Sequence, residues 1–171
     1  MRQSGDAAYL QGATQYFDAL IDKLHTSPDG NRGWVGPYIY DTSVIGDVHI
    51  GDAILLNYLL AFALYVRTEL LEPQRLSYEA KVQAYIELTE HISAKWIARG
   101  TWYENGQYGG YISWDQFLTA DNLAEFRKRD DVRNVRLSLP FNKQQSMAIM
   151  HLRLHRLTGN AEHLRKAQLI F

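Results

Sequence analysis

The sequence predicts an all-α protein of antiparallel helical hairpins, in which buried inner helices alternate with half-wet outer ones. Apolar residues recur at helical spacing along most of the chain, and no clean strand alternation runs through its Gly-rich stretches. The helical segments read in order as amphipathic, buried, amphipathic, buried, amphipathic. Short turns and long loops join them alternately. An inner ring of helices backed by an outer ring produces that alternation. A simple up-down bundle is the alternative, but it would make all helices about equally amphipathic.

The first helix is expected over Ser4–Leu24. Leu10, Ala13, Phe17, Leu20, Ile21 and Leu24 mark its apolar face, with Ser4 or Asp6 as cap. Ser27-Pro28-Asp29-Gly30 ends it. Residues 30–51 read as a loop carrying Trp34, Tyr38, Tyr40 and His49 among five glycines. The second helix, about Asp52–Leu71, is apolar nearly all round and needs neighbours on most sides. Pro73 breaks the chain.

The third helix, Ser77–Arg99, carries Tyr78, Val82, Tyr85, Ile86, Ile92 and Trp96 as one stripe. Lys95 and Arg99 sit near its C-terminal dipole, and Gly100 is its stop. Residues 100–139 form a long loop with a short helix near 118–128. A fourth helix opens at Pro140. Thr158-Gly159-Asn160 ends it, and Asn160 caps a fifth helix that reaches Phe171.

One compact domain, 1–171, is the default at this length. It is expected to be a fragment of a larger ring, because no terminator follows Phe171. Hydrophobic residues at 46% and charged residues at 22% are ordinary globular usage. A net charge of -1 supplies no global basic field for nucleic acid or a membrane surface. The absence of cysteine excludes disulfides, thiol nucleophiles and thiolate metal sites. The longest apolar run, Ala53–Val66, has 14 residues. A membrane-spanning helix needs ~20. No signal peptide is visible in the chain; a periplasmic or secreted location is slightly favoured if the protein acts on carbohydrate.

Two stretches carry a resemblance. Leu139-Pro140-Phe141-Asn142-Lys143-Gln144-Gln145 leads into Leu154-His155-Arg156-Leu157-Thr158-Gly159-Asn160 and then His163-Leu164-Arg165-Lys166-Ala167. This resembles a hairpin of the (α/α) toroid proteins of the six-hairpin glycosidase and polysaccharide lyase superfamily. Asp47-Val48-His49-Ile50-Gly51-Asp52, ahead of the apolar helix, is similar to a second such hairpin. The resemblance covers about Tyr38–Phe171 and implies a partial (α/α) toroid. It implies a lyase or glycoside hydrolase acting on a glycan, which could contain uronic acid. It carries over no catalytic set residue by residue.

In such a toroid the loops before the second and fourth helices meet at one mouth. They hold Trp34, Tyr38, Tyr40, Trp102, Tyr103, Tyr108, Tyr111 and Trp114. Flat rings with polar handles suit sugars, which offer apolar C–H faces and hydroxyls. The bland alternative is that these rings pin the loops to the helices.

For a lyase, His49 would be the base, oriented by Asp47 or Asp52, with the Tyr108 hydroxyl assisting. Trp34, Tyr40, Trp102, Tyr111, Trp114, Asn142 and Gln145 would bind substrate, the two amides at a uronate carboxylate. The alternative gives Asp47 or Asp52 to helix capping and the amides to loop tethering. A hydrolase would instead need two carboxylates from Asp41, Asp47, Asp52, Glu104 and Asp115.

The basic stretch of Arg127, Lys128, Arg129, Arg133, Arg136 and Lys143 reads as a solvated helix face, or as an attractant for an anionic glycan. His151 and His155 have i, i+4 spacing that can bind a metal, but no third ligand is apparent and no metal is expected. No cofactor is implied. The expected partner is an oligo- or polysaccharide, together with further hairpins or domains of a longer chain.

Overall fold

The computed structural model describes residues 7–27, 29–36, 46–112, 116–117 and 140–171. Among these are five helices: α1 (Ala7–Ile21), α2 (His49–Glu69), α3 (Glu72–Ala98), α4 (Phe141–Thr158) and α5 (Ala161–Ile170). The all-α expectation holds. Seven strands of two or three residues are added to it, in stretches expected to be plain loop. Residues β1 (His25–Thr26) and β2 (Arg32–Gly33) pair antiparallel, as do β5 (Trp102–Glu104) and β6 (Gly109–Tyr111). β4 (Gly46–Asp47) lies between β3 (Val35–Gly36) and β7 (Gln116–Phe117). The expected cap at Ser4 or Asp6 and the helix near 118–128 lie outside the described residues.

Helix α1 buries Leu10 and Phe17, while Ala13, Leu20, Ile21 and Leu24 pack at the margin of the core. The ring of Phe17 meets Phe62 of α2 edge-on at 5.7 Å and Tyr85 of α3 at 5.8 Å. Helix α2 buries Leu56, Leu59, Leu60, Phe62 and Val66 at its centre. Each such side chain contributes about 2 kcal/mol when fully removed from water. At 21 residues α2 is longer than its apolar run, and by length and composition it could cross a membrane. Half of its most apolar stretch is buried inside the protein, as in a core helix.

Pro73 does not separate two elements as the sequence suggested. It sits in the first turn of α3, where its missing N–H costs nothing, so the helix begins at Glu72 rather than Ser77. The expected stripe is borne out: Val82, Tyr85, Ile86, Ile92 and Trp96 are buried. Helix α4 ends at Gly159, whose φ of 73° is left-handed and which donates its N–H to the His155 carbonyl. The Asn160 side chain then accepts from the Glu162 N–H and caps α5.

Hydrogen bonds fix the helix directions. Asn57 Nδ2 donates to the Ser146 carbonyl at 2.8 Å, and Arg67 Nη1 donates to the Leu157 carbonyl at 3.0 Å. Early residues of α2 therefore meet early residues of α4, and late meet late, so the two run parallel. Helix α3 runs against α2. Arg67 at the end of α2 pairs with Glu79 near the start of α3, and Trp96 near the end of α3 donates to Asp52 in the first turn of α2. Helix α1 also runs against α2, since Trp34 Nε1 reaches back to the Leu20 carbonyl while the Trp34 N–H donates to Asp52.

Candidate functional site

The loops entering α2 and α4 share one end of the molecule. The first is seated by charge. Lys95 Nζ donates to Asp47 Oδ1 at 3.1 Å, to Asp47 Oδ2 at 3.0 Å and to Asp52 Oδ2 at 2.5 Å. All three side chains are fully buried. Trp96 Nε1 and the Trp34 N–H complete the shell of Asp52. Arg99 Nη1 donates to Asp47 at 2.8 Å, while Arg99 Nε and Nη2 grip both oxygens of Asp29.

Burial and the neighbouring Asp47 push the Asp52 carboxyl up to about 6, against the pull of Lys95. Burial also raises Asp29, but Arg99 and Asn31 outweigh it and hold that carboxyl at about 2. A side chain at Gly33 would place its Cβ 2.9 Å from Asp47 Oδ1, so only glycine lets β2 pass this close.

The His49 ring stacks on Trp96 at 3.8 Å and meets Tyr111 edge-on at 5.7 Å. It is 2% exposed, and its Nε2 has no hydrogen-bond partner among the described residues. Burial, followed by the charges of Lys95, Arg99 and Lys143, holds the imidazole down at about 3.

The second loop is seated by neutral groups at its buried end, while Arg165 of α5 pairs with Glu104 at its exposed end. The amide of Gln144 on α4 grips the Tyr111 backbone, accepting from its N–H at 2.9 Å and donating to its carbonyl at 2.6 Å. The Tyr111 hydroxyl meets His151 Nε2 at 2.7 Å. Burial raises the Tyr111 phenol above its ordinary value. Trp102 meets Tyr111 edge-on at 5.2 Å and donates Nε1 to Glu104. Tyr108 at the tip of the β5–β6 turn is 68% exposed, and Tyr103 is exposed beside it.

Several predicted roles change. Asp47 does not orient His49; its oxygens are taken by Lys95, Arg99 and Ser27. Neither Asp47 nor Asp52 caps α2, whose cap residue Val48 has no side-chain cap bond. Asp47 and Asp52 also cannot flank a scissile bond, because the same ammonium fills the space between them.

Trp34 and Tyr111 are buried and pin their loops, which is the bland alternative for both. Trp102 is half-buried, and Asn142 and Gln145 are exposed on the first turns of α4. His151 and His155 do not form a metal pair: His151 bonds Tyr111 and His163, while His155 Nδ1 meets the Asn160 carbonyl. Among the described residues no cluster of three or more metal-ligating side chains occurs. Tyr38, Tyr40, Asp41, Trp114, Asp115 and the basic residues of 127–136 lie outside the described residues.

Sequence reasoning missed Lys95, Gln144, His163 and Glu90. Two of these had a signal. Lys95 and Arg99 stand i, i+4 on one face, opposite a loop rich in aspartate. Gln144 lies in register with Met147, Ala148, His151 and Leu154 on the buried stripe of α4, whereas Gln145 does not.

No protein-family model, curated protein or solved structure matches the chain.

Proposed function

We propose that the chain is part of a carbohydrate-active (α/α) toroid and that a glycan meets the end where α2 and α4 begin. The observation carrying this is the β5–β6 hairpin. It presents Tyr103 and Tyr108 to solvent, with Trp102 half-buried between hairpin and core, at the mouth into which both inner-helix loops lead. Parallel inner helices backed by antiparallel outer ones support the toroid. So do Ile54 and Tyr58, one turn apart on α2 and 46% and 58% exposed, where further hairpins of the same kind would pack.

In this reading His49 and Asp47 position the loop rather than react, since neither reaches a dissolved chain. The exposed rings stack on sugar faces, and the Tyr108 hydroxyl, Asn142 and Gln145 supply polar contacts. A non-catalytic glycan-binding module is the second reading. It is favoured by one feature: the described carboxylates of this end are held in internal pairs, Asp47 and Asp52 with Lys95, Asp29 with Arg99 and Glu104 with Arg165.

Incubation with uronic-acid and neutral polysaccharides tests both. Unsaturated ends indicate a lyase, reducing ends alone a hydrolase, and binding without product the module. The joint variant Tyr103→Ala, Tyr108→Ala should weaken binding at least about tenfold, as for two ring stackings. No binding and no product across the panel would end the carbohydrate reading.

A further inference from the structure

Asn105 is the one asparagine of the chain that glycine follows. It closes the β5–β6 hairpin, where its N–H donates to the Tyr108 carbonyl at 3.0 Å. Its side-chain Oδ1 accepts from the Gln107 N–H at 3.2 Å and from the Tyr108 N–H at 2.9 Å. A bond to the N–H two residues on curls the amide over the intervening Gly106 peptide. Gly106 has a φ of 90°, which favours glycine, and no Cβ hinders its nitrogen. Both residues are exposed.

Three features favour attack of the Gly106 nitrogen on the Asn105 amide carbon. The Gly106 N–H has no hydrogen-bond partner among the described residues, so no acceptor holds it back. The two N–H groups on Oδ1 polarise the amide and stabilise charge that develops on that oxygen. Solvent reaches the leaving nitrogen, and no atom lies within 4 Å of where a Gly106 Cβ would stand. Asp29-Gly30 is the contrast within the same chain. The Gly30 N–H is tied to the Ser27 carbonyl at 2.8 Å, and Arg99 grips both Asp29 oxygens. A carboxylate held ionised in this way resists a nucleophile.

We propose that Asn105 is a site of spontaneous deamidation through a cyclic imide shared with Gly106. Solvent base takes the Gly106 N–H proton, the nitrogen bonds to Asn105 Cγ, and the Cγ–Nδ2 bond breaks. Nδ2 gains a proton from water and leaves as ammonia. Water then opens the ring at either carbonyl. Opening at Cγ leaves an aspartate side chain. Opening at the main-chain carbonyl leaves isoaspartate, in which the backbone runs through the former side chain and is one methylene longer. Water is the only reactant consumed.

Either product places a carboxylate next to Glu104, which already pairs with Arg165. Isoaspartate also takes the side-chain oxygen away from the Gln107 and Tyr108 N–H groups it now serves. The modification therefore rebuilds the turn that projects Tyr108. The reaction needs no ligand and stands independently of the glycan reading.

Ageing the full chain in mildly alkaline buffer, followed by peptide mapping with mass spectrometry, tests this. The peptide holding Asn105 should gain the mass difference between –OH and –NH2 and separate into two products. It should do so at least about tenfold faster than any other asparagine peptide, since every other asparagine precedes a residue with a Cβ. Asp29 should isomerise only once denaturant frees it. Asn105→Ser keeps an oxygen for the turn and should show no mass gain there, and Gly106→Ala should slow the reaction of Asn105 at least about tenfold. In proton–nitrogen NMR of the aged fraction the Gln107 and Tyr108 amide signals should shift while those of α2 stay. An Asn105 peptide that ages no faster than the others, isomerised Asp29 appearing beside it in the folded chain, or unmoved Gln107 and Tyr108 signals would each overturn the proposal.

Discussion

Two loops are seated at the same end of this molecule by opposite means. The loop ahead of α2 rests on a buried ionic cluster, with Lys95 between Asp47 and Asp52. The loop ahead of α4 rests on an amide and a phenol, through Gln144 and Tyr111. Charges hold strongly but expose the fold to large losses when one partner goes. Neutral hydrogen bonds hold more weakly. The first region is an ionic anchor, and the buried end of the second is a neutral one.

The largest expected effect breaks the anchor. Lys95→Met leaves two buried carboxylates facing each other, and should cost about 3–5 kcal/mol in denaturant unfolding. Loss of less than about 1 kcal/mol, the ordinary range for exposed pairs, would mean the cluster is solvated. Gln144→Ala comes next. It leaves the Tyr111 N–H and carbonyl without their partner and should cost about 2 kcal/mol. Gln145→Ala, one residue on but exposed, should stay within about 0.5 kcal/mol of the parent.

Acid sharpens the contrast further. Burial depresses His49 and His151 to about 3, so folding disfavours their charged forms. Their stabilising contribution is complete above the ordinary imidazole value of 6.5 and is lost as pH falls from there towards about 3. His49→Phe keeps a ring against Trp96 and removes one of the two titrations. It should therefore raise Tm more at pH near 5 than at pH near 8. An equal change at both would show that His49 does not charge on unfolding. The Asp52 contribution runs the other way: its raised carboxyl favours the fold below the ordinary value of 3.8, an advantage lost as pH rises through about 6.

Much of the fold was legible because periodicity reports burial. The apolar faces of α1 and α3 were read residue by residue, and Gly159 and Asn160 were placed by turn and cap chemistry. Pro73 was misread because proline is both a breaker and a favoured first-turn residue, and only the chain around it decides. The site was less legible. Asp47 and His49 are near in sequence, and nearness suggested a pair. The partner that claims Asp47 is 48 residues away on α3, and no local pattern ties a lysine to a loop over that span. The rings divide similarly. Trp34 and Tyr108 look alike in a Gly-rich loop, yet one is a buried pin and the other projects to solvent. The His151–His163 contact joins two helices across a tight turn, and a helical-spacing search along α4 alone pairs His151 with His155 instead.

Everything at the mouth requires that α2 and α4 point the same way. The chain has no cysteine of its own, so spin labels attach only at pairs of cysteines introduced for the purpose. Electron–electron distances between labels at Ile54 and Phe141, and between Ile54 and Arg156, measure the direction at exposed sites. Parallel helices predict the shorter distance for Ile54 with Phe141, since α4 spans about 27 Å from end to end. A shorter distance for Ile54 with Arg156 would reverse α4 and carry the second loop to the opposite end of the molecule.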